Sequence, residues 1–157
     1  MPGPDKHGNM DIRPIRPTEL NALIALYAHL HTSDDPLPEP AVVDAVWQEL
    51  MANPRDRVFG VYVDDSLVSS CALTVVPNLT RGCRSYGVIE NVVTHPTHRN
   101  RGYGKALLSH ALSFAWSVGC YKVMVFTGKK DPATLRFYEA AGFDRHEKQA
   151  FVATPTD

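Results

Sequence analysis

One stretch, residues 98–105 (His-Arg-Asn-Arg-Gly-Tyr-Gly-Lys), most constrains the fold because it joins a strand pattern to a helix pattern. Residues 88–94 before it are mostly apolar and rich in β-branched side chains, which predicts a buried strand. After it, apolar residues recur at helical spacing and predict a helix that ends near Gly119, namely Ala106, Leu107, Leu108, Ala111, Leu112, Ala115 and Val118. The sequence therefore predicts a strand, a glycine-containing loop and a helix.

The loop between these elements has the chemistry of an anion site. The first N–H groups of a helix have no helical acceptor, and the helix dipole favours negative charge there. Gly102 and Gly104 have no Cβ, so we expect a ligand to approach the backbone closely. Arg99, Arg101 and Lys105 add cationic side chains. The prediction is a phosphate or pyrophosphate site, and the alternative is a plain turn with solvated arginines.

Two common phosphate-binding motifs do not fit this loop. The dinucleotide pattern G-x-G-x-x-G fails because position 107 is Leu, and the sequence contains no G-x-x-x-x-G-K-[ST]. Residues 99–104 do read R-x-x-G-x-G, directly between the predicted strand and helix. In this respect the stretch resembles the acyl-CoA pyrophosphate loop of the GNAT N-acetyltransferase superfamily, and residues 92–99 resemble the strand exit that leads into it.

A second segment strengthens the resemblance. Residues 137–143 read F-Y-E-A-A-G-F and match the F-Y-x-x-x-G-F helix of that family. Asp131 suits the N-cap of this helix, Pro132 its first turn and Gly142 its C-terminal end. The family often carries Asn in the turn before the Phe-Tyr pair, where this chain has Asp131 and Thr134. The resemblance covers residues 58–145 well and residues 10–57 only in general layout.

Composition bounds the class of protein. The chain has 157 residues, of which 44% are hydrophobic and 21% charged, as expected for one globular domain. We expect a flexible tail over residues 1–9, which is polar and rich in helix breakers, and a single domain over residues 10–157. A net charge of -1 does not favour nucleic acid or an anionic membrane as a partner. No apolar run approaches the roughly 20 residues of a membrane helix, and there is no signal-peptide pattern.

The three cysteines do not suggest a metal site or a disulfide framework. Cys71, Cys83 and Cys120 are odd in number and lack metal-ligand spacing. We expect all three to be buried free thiols and infer a reducing cytoplasm. The histidines likewise form no spaced metal cluster, and His95 and His98 are expected to be solvated or to cap a turn.

The rest of the chain predicts a mixed α/β fold. A first strand over residues 10–16 is interrupted by Pro14, and a helix capped by Thr18, with Glu19 in its first turn, runs to Leu30. After an acidic, proline-rich loop over residues 31–40, a second helix ends near residues 53–54. Its predicted inner face consists of Val42, Val43, Val46, Trp47 and Leu50.

The strand patterns of the second half predict a mostly antiparallel sheet. Residues 58–63 and 67–76 form a hairpin, and a loop over residues 78–82 leads to the strand that ends at Thr94. Residues 121–126 predict a strand, residues 132–141 a helix and residues 149–152 a last strand. We expect helices on both faces of the sheet. The resemblance implies a GNAT-like fold with a splayed central strand pair, where the backbones of Val92, Val93 and Thr94 pair with the pantetheine arm of acetyl-CoA.

The resemblance also implies roles for individual side chains. Acetyl transfer to an amine requires loss of the amine proton, polarisation of the thioester and protonation of the leaving thiolate. Tyr138 is the expected general acid, because a phenol stays protonated at neutral pH, and the alternative is a core-packing tyrosine. Glu90 is either the base, acting directly or through water, or a residue that orients the substrate. Asn91, Asp34 and Asp35 are the expected acceptor contacts, and the bland alternative for the two aspartates is a solvated acidic loop.

The predicted function is transfer of an acetyl group from acetyl-CoA to a primary amine of a small molecule, without a metal. Residues 88–126 most resemble the small-amine and amino-sugar transferases of the family. Acetylation of protein or peptide amines and a non-catalytic acyl-CoA-binding module remain alternatives, and a homodimer is left open. The cofactor contacts implied by the resemblance are Val92, Val93, Thr94, Arg99, Asn100, Arg101, Gly102, Tyr103, Gly104, Lys105 and Thr134.

Overall fold

The computed structural model describes residues 9–156, so residues 1–8 of the predicted tail lie outside the described residues. Five strands form one sheet in chain order: β1 Met10–Pro14, β2 Asp56–Val63, β3 Ser66–Val76, β4 Tyr86–Thr94 and β5 Val123–Val125. The first four pair antiparallel, and β5 lies parallel to β4. The predicted mixed, mostly antiparallel sheet is therefore confirmed.

Among residues 9–156, five helices flank the sheet: α1 Leu20–Tyr27, α2 Pro40–Ala52, the one-turn α3 Thr80–Cys83, α4 Tyr103–Ser117 and α5 Pro132–Ala140. Short 3-10 turns at Pro17–Glu19 and Pro96–His98 precede α1 and α4. The apolar stripe on α4 is present as far as Ala115, but Val118 lies beyond the end of the helix and is 46% exposed. The Asp131 cap of α5 is present as the sequence predicts, since Asp131 accepts a hydrogen bond from the Thr134 N–H at 3.0 Å.

Two apolar clusters lie on opposite faces of the sheet, which confirms helices on both sides. On one face, Leu107 and Leu108 of α4 pack against Phe59, Leu73 and Ile89 of the central strands, and the aromatic residues of α5 border this cluster. On the other face, buried residues of α1, α2 and the sheet form a smaller cluster: Ile15, Leu23, Trp47 and Val58. Burial of these side chains is the main contribution to stability.

The sheet opens between β4 and β5. Their parallel pairing covers only Gly87–Val123, Val88–Met124 and Ile89–Val125, whereas β4 continues to Thr94. On its other edge, β4 carries a bulge, because Cys71 of β3 lies opposite both Asn91 and Val92 and Asn91 has a φ of 54°. The second half of β4 therefore presents a free edge to a gap, which is the predicted splayed strand pair.

The two N-terminal helices differ from the sequence prediction. Thr18 makes no cap, because Pro17–Glu19 is a 3-10 turn in which the Glu19 carboxylate accepts the Arg16 N–H at 2.7 Å, and α1 begins only at Leu20. Helix α1 ends at Tyr27 rather than Leu30. In α2, Trp47 is buried, but Val42 and Val46 are 50% and 53% exposed. The inner face of α2 is thus narrower than predicted, since the helix lies over β2 near the edge of the sheet.

Three further predictions are wrong. Residues 149–152 form no strand, and Phe151 and Val152 are 92% and 88% exposed because no strand of the described chain pairs with them. Cys83 is exposed, whereas Cys71 and Cys120 are buried as expected. The loop predicted over residues 78–82 contains α3, whose backbone turns sharply at Arg81 and Gly82 through positive φ values.

Candidate active site

The loop between β4 and α4 places a glycine at the helix N-terminus. Gly102 is the N-cap of α4 with a φ of 84°, a left-handed conformation that glycine adopts without a steric cost. The first hydrogen bond of the helix runs from the Ala106 N–H to the Gly102 carbonyl at 3.0 Å, so the N–H groups of Tyr103, Gly104 and Lys105 have no acceptor within the helix. These donors suit an anion.

Three cations surround this helix terminus. Arg99, Arg101 and Lys105 are exposed, and none has a carboxylate within 4.0 Å in the described part of the chain. Arg99 is nevertheless oriented, because its Nε donates to the Thr94 carbonyl at 3.1 Å. Asn100 adopts a φ of 59° and completes the turn. The loop therefore offers uncompensated positive charge beside free backbone donors.

Gly104 and Tyr103 take part in the packing of the fold, which the sequence did not reveal. A Cβ on Gly104 would lie 3.0 Å from the Phe137 ring and 3.5 Å from the Thr94 Oγ1, so its hydrogen is required by the packing of α5 on α4. A Cβ on Gly102 would meet nothing within 4 Å. The space on the Cβ side of Gly104 is therefore occupied by Phe137 and Thr94, and the approach of a ligand to the backbone at both glycines stays a prediction. The ring of Tyr103 is buried, which leaves its N–H for a ligand.

The second half of β4 forms one wall of the gap. Val93 pairs with Ser70 of β3, and the Thr94 Oγ1 lies 2.8 Å from the Ser69 Oγ, so the strand is fixed on that side. Beyond Ile89 no residue of β5 pairs with it. Backbone groups along Val92–Thr94 can therefore bind an extended ligand by strand-like hydrogen bonds.

Tyr138 lies beside this gap, close enough to Cys71 and Glu90 for their charges to affect its pKa. Its pKa is raised from the ordinary value, first by burial, then by the negative charge that Cys71 and Glu90 carry when ionised. Cys71 is fully buried, and burial raises the pKa of its thiol to about 12. Tyr138 and Cys71 are therefore neutral at neutral pH, so the Tyr138 hydroxyl is a proton donor. The aromatic rings of Phe137 and Phe143 hold Tyr138 edge-on at 4.9 and 6.2 Å.

Glu90 and Asn91 lie on the α1 side of β4 and are exposed. Glu90 pairs with Ala72, which borders the α1–α2 cluster, while Ile89 points into the cluster under α4. The positive φ of Asn91 at the bulge turns both polar side chains toward the same face. A carboxylate in this mainly apolar strand is thus solvated at the mouth of the gap.

Tyr27 of α1 also lies at the candidate site. The sequence predicted no functional role for this residue. Burial raises its pKa to about 12, the Cys71 thiolate adds to this, and the Asn91 amide opposes it. Tyr27 therefore lies within reach of Asn91 and Cys71, across β4 from Tyr138. An isolated tyrosine among leucines on α1 was the only signal in the sequence.

Three of the predicted site residues, Thr134, Asp34 and Asp35, lie outside β4 and the loop that follows it. The Thr134 hydroxyl donates to the Asp131 carboxylate at 2.9 Å, so its hydrogen is used in the α5 cap. This cap lowers the pKa of Asp131 through the Thr134 backbone and side chain.

Asp34 and Asp35 lie in an exposed loop where the Asp35 N–H donates to the Asp34 carboxylate. Within residues 9–156, no hydrogen bond or ion pair joins this acidic loop to Glu90 or Asn91.

Among residues 9–156, no group of three or more His, Cys, Asp or Glu side chains is placed to hold a metal ion. No helix in that range has both the length and the apolar character needed to cross a bilayer.

The parted strand pair, the cation-bearing helix terminus and the neutral phenol beside the gap are the features that the resemblance to the GNAT family implied. A family model described as acetyltransferase (GNAT) family matches residues 21–143. The chain therefore belongs to the GNAT family of N-acetyltransferases.

Relatives and solved structures agree with this membership. Glucosamine 6-phosphate N-acetyltransferase of Trypanosoma brucei brucei is 33% identical over 141 residues, which cover 90% of this chain and 93% of the relative. Glucosamine 6-phosphate N-acetyltransferase 1 of Oryza sativa subsp. japonica is 32% identical over 136 residues, with 82% and 79% covered. The structure of a putative acetyltransferase from Agrobacterium tumefaciens str. C58 has a TM-score of 0.84 and 38% identity, and covers 92% of this chain and 99% of that chain.

Proposed function

We propose that this protein transfers an acetyl group from acetyl-CoA to the amine of a phosphorylated amino sugar of the glucosamine 6-phosphate type. The observation that carries the proposal is the gap beside β4, which has the cationic loop at one end and Tyr138 and Glu90 at the other. An extended donor with a pyrophosphate at one end and a thioester at the other fits this arrangement. The names of the two relatives described above support the acceptor class.

The donor site would use the loop and the free edge of β4 together. The pyrophosphate would accept hydrogen bonds from the first N–H groups of α4 and from Arg99 and Arg101. The pantetheine arm would run along Val92–Thr94 toward Glu90. This direction brings the thioester to the part of the gap where Tyr138 lies.

Two side chains would then move the protons of the reaction. Glu90 takes the proton of the acceptor ammonium, directly or through a water, so that the neutral amine attacks the thioester carbonyl. As the C–S bond breaks, Tyr138 gives its hydroxyl proton to the sulfur of the leaving CoA. The raised pKa of Tyr138 means that it is protonated before this step. Tyr27 and Asn91 would orient the acceptor from the α1 side.

The acceptor phosphate would bind to a basic and aromatic surface at the start of β4 and β5. Tyr86 lies on the same face of β4 as Glu90, because alternate residues of a strand share a face. The Lys122 Nζ lies 5.4 Å from the ring centre of Tyr86 and 5.3 Å from that of Tyr121, and the Arg84 Cζ lies 5.6 Å from the Tyr121 ring centre. Neither cation has a carboxylate within 4.0 Å among the described residues.

An acceptor panel tests the proposal. The release of free thiol from acetyl-CoA is followed with glucosamine 6-phosphate, glucosamine and a lysine-containing peptide. We expect the highest kcat/KM for the phosphorylated sugar. Lys122→Gln is expected to reduce that preference, whereas Lys148→Gln, which removes an exposed lysine from the C-terminal segment, leaves it unchanged. The highest rate with the peptide would favour a protein acetyltransferase, and no release with any amine would favour a binding module.

We also propose a homodimer. Phe151 and Val152 expose almost their whole side chains, and the outer edge of β5 has no partner strand in the described part of the chain. A second copy of the chain would cover both features. Sedimentation velocity of the wild-type protein and of the Phe151→Ser variant tests this, since a dimer that depends on the segment would dissociate in the variant.

The proposed compartment is the reducing cytoplasm. All three cysteines are free, and the exposed Cys83 would be open to oxidation elsewhere.

A further inference from the structure

The turn that connects β4 to the cationic loop is closed by a histidine. His95 is the N-cap of the 3-10 turn Pro96–His98, and its Nδ1 accepts the Thr97 N–H at 3.2 Å. The Thr97 Oγ1 lies 2.8 Å from the same nitrogen and 2.9 Å from the Nδ1 of His98. One hydroxyl therefore connects two imidazoles.

Only one placement of protons satisfies all three contacts. The His95 Nδ1 accepts an amide N–H, so it carries no hydrogen and the ring is protonated on Nε2. The single hydrogen of the Thr97 hydroxyl must then point at the His95 Nδ1, since two lone pairs would otherwise face each other at 2.8 Å. The hydroxyl oxygen in turn accepts from the Nδ1–H of His98. The chain of donors runs from His98 through Thr97 to His95.

We propose that His95 is a positioning residue for the donor pyrophosphate and that it acts only as the neutral imidazole. This inference rests on the donor site proposed above. A protonated ring carries a hydrogen on Nδ1, which would face the Thr97 N–H as a second donor. The cap is then lost, and the turn that sets the path from Thr94 to Arg99 opens. Because the Arg99 Nε bonds to the Thr94 carbonyl, the same change releases that guanidinium.

The residues around His95 would not stabilise a positive charge on its ring. His29 of α1 lies 4.6 Å from it between ring centres and His98 lies 5.8 Å away, and the Val68 carbonyl of β3 is occupied by the His95 N–H at 2.8 Å. Arg99 and Arg101 belong to the same loop. No Asp or Glu forms an ion pair with His95 in residues 9–156.

Protonation of His98 would favour binding of an anion, whereas protonation of His95 would weaken it. His98 already donates through Nδ1, so a second proton on Nε2 breaks none of the contacts described and adds positive charge beside the anion site. The pKa of His98 is lowered by burial, by Arg101 and by His95, so this effect begins only at more acidic pH. A loss of donor affinity on mild acidification therefore cannot come from His98.

Asparagine gives a matched variant. Its side-chain oxygen caps a turn as histidine Nδ1 does, and it does not titrate. His95→Asn is therefore expected to bind the donor with an affinity near that of the wild type at any pH, whereas His95→Ala lacks the cap at every pH. His29→Asn removes the neighbouring ring and keeps the cap, so it controls for the contact between the two histidines.

The test is a calorimetric titration with 3′-dephospho-CoA, whose pyrophosphate does not change charge over the range used. Between about pH 8 and about pH 5.5, the wild-type dissociation constant should rise by about 5- to 30-fold, the value of one lost cap. The same rise is expected for His29→Asn. His95→Asn should show almost none, and His95→Ala should bind weakly at both pH values.

The results that would overturn the role of His95 differ from the result that would overturn the donor site. A wild-type affinity that is equal at both pH values, or a pH response in His95→Asn as large as in the wild type, overturns the role of His95 and leaves the donor site intact. Absence of binding by the wild-type protein at about pH 8 overturns the donor site and this inference with it.

Discussion

Gly104 of α4 lies against Phe137 of α5 so closely that a Cβ on the glycine would be 3.0 Å from the aromatic ring. This contact joins the two elements that carry the site, because α4 begins at the cationic loop and Phe137 precedes Tyr138. The absence of a side chain on Gly104 therefore helps to set the distance between the loop before α4, which is the proposed pyrophosphate site, and Tyr138, the proposed general acid.

Gly104→Ala is expected to destabilise the fold and displace Phe137, because the new methyl overlaps the ring. Overpacking of this kind costs about 1–3 kcal/mol. Thermal unfolding measures the loss, and the fluorescence or NMR signals of the α5 aromatics report the displacement. The matched variant Gly102→Ala meets no atom within 4 Å and should pay only for its left-handed φ of 84°. Equal aromatic shifts in both variants would contradict the packing role of Gly104.

Tyr138→Phe keeps the ring and its contacts but removes the hydroxyl proton. Loss of a general acid lowers kcat by about 10²–10⁴-fold. The dissociation constant for CoA should stay close to that of the wild type, because the proposed donor contacts lie on β4 and the loop. A kcat within a factor of two of the wild type would exclude Tyr138 as the acid. Tyr62→Phe removes a hydroxyl that donates to the Glu19 carboxylate, outside the proposed site, and serves as the control.

The thiols should differ sharply in reactivity. Cys83 is exposed, whereas burial raises the pKa of Cys71 to about 12 and also raises that of Cys120. A disulfide reagent reacts with the thiolate, so the folded protein should release one equivalent quickly and the rest only on unfolding. Cys83→Ser should abolish the fast phase. A fast phase that survives in this variant would show that one of the buried thiols is accessible.

Glu19 should make stability depend on pH in the acid range. The hydrogen bonds from Arg13, the Arg16 backbone and Tyr62, of which that from Arg13 is the strongest influence, lower the Glu19 pKa from 4.5 to about 2. A carboxyl whose pKa is lower in the folded state stabilises the fold above its ordinary pKa and loses that contribution as the pH falls toward about 2.

Urea unfolding across that range gives the test. Wild-type stability should fall between about pH 4.5 and about pH 2 more steeply than that of Glu19→Gln, which has no charge to lose. Glu147→Gln changes an exposed carboxylate in the C-terminal segment and should follow the wild type. Parallel curves for the wild type and Glu19→Gln would contradict the lowered pKa.

Local signals in the sequence predicted the central unit well. The β-branched strand, the R-x-x-G-x-G loop and the stripe on α4 lie next to each other in the chain, so periodicity and glycine placement carry the information. The cap of α5 was also readable, because Asp131 and Thr134 are three residues apart. The exact role of Gly104 was not, since Phe137 is far away in sequence and the contact exists only after α5 docks.

Long-range packing explains the failures. The strand predicted over residues 149–152 has suitable residues, but it pairs with no strand of the described chain although the outer edge of β5 is free, and an unpaired strand has unsatisfied backbone groups. Val42 and Val46 follow helical periodicity, yet only Trp47 of that stretch reaches the sheet deeply. Tyr27 became a site residue only because the bulge at Asn91 turns toward α1, and no local pattern predicts where a bulge will face.

The acidic loop can be tested for a role in acceptor binding. If Asp34 and Asp35 attract the cationic amine, the double variant Asp34→Asn with Asp35→Asn should raise KM for the acceptor and leave KM for acetyl-CoA unchanged. The wild-type acceptor KM should then rise with salt, which screens exposed charges over about 8–10 Å. Identical constants in the double variant would remove the loop from the acceptor site.

The most direct measurement of the central claim, that the loop before α4 holds the donor, is a calorimetric titration of CoA against paired arginine variants. Arg99→Gln with Arg101→Gln removes two loop cations, and Arg16→Gln with Arg55→Gln removes two exposed arginines outside the site, so net charge changes equally. With each charged hydrogen bond worth about 1.5 kcal/mol or more, the loop variant should bind CoA at least about 100-fold more weakly, and the control variant should bind like the wild type. Wild-type affinity in the loop variant would contradict the account.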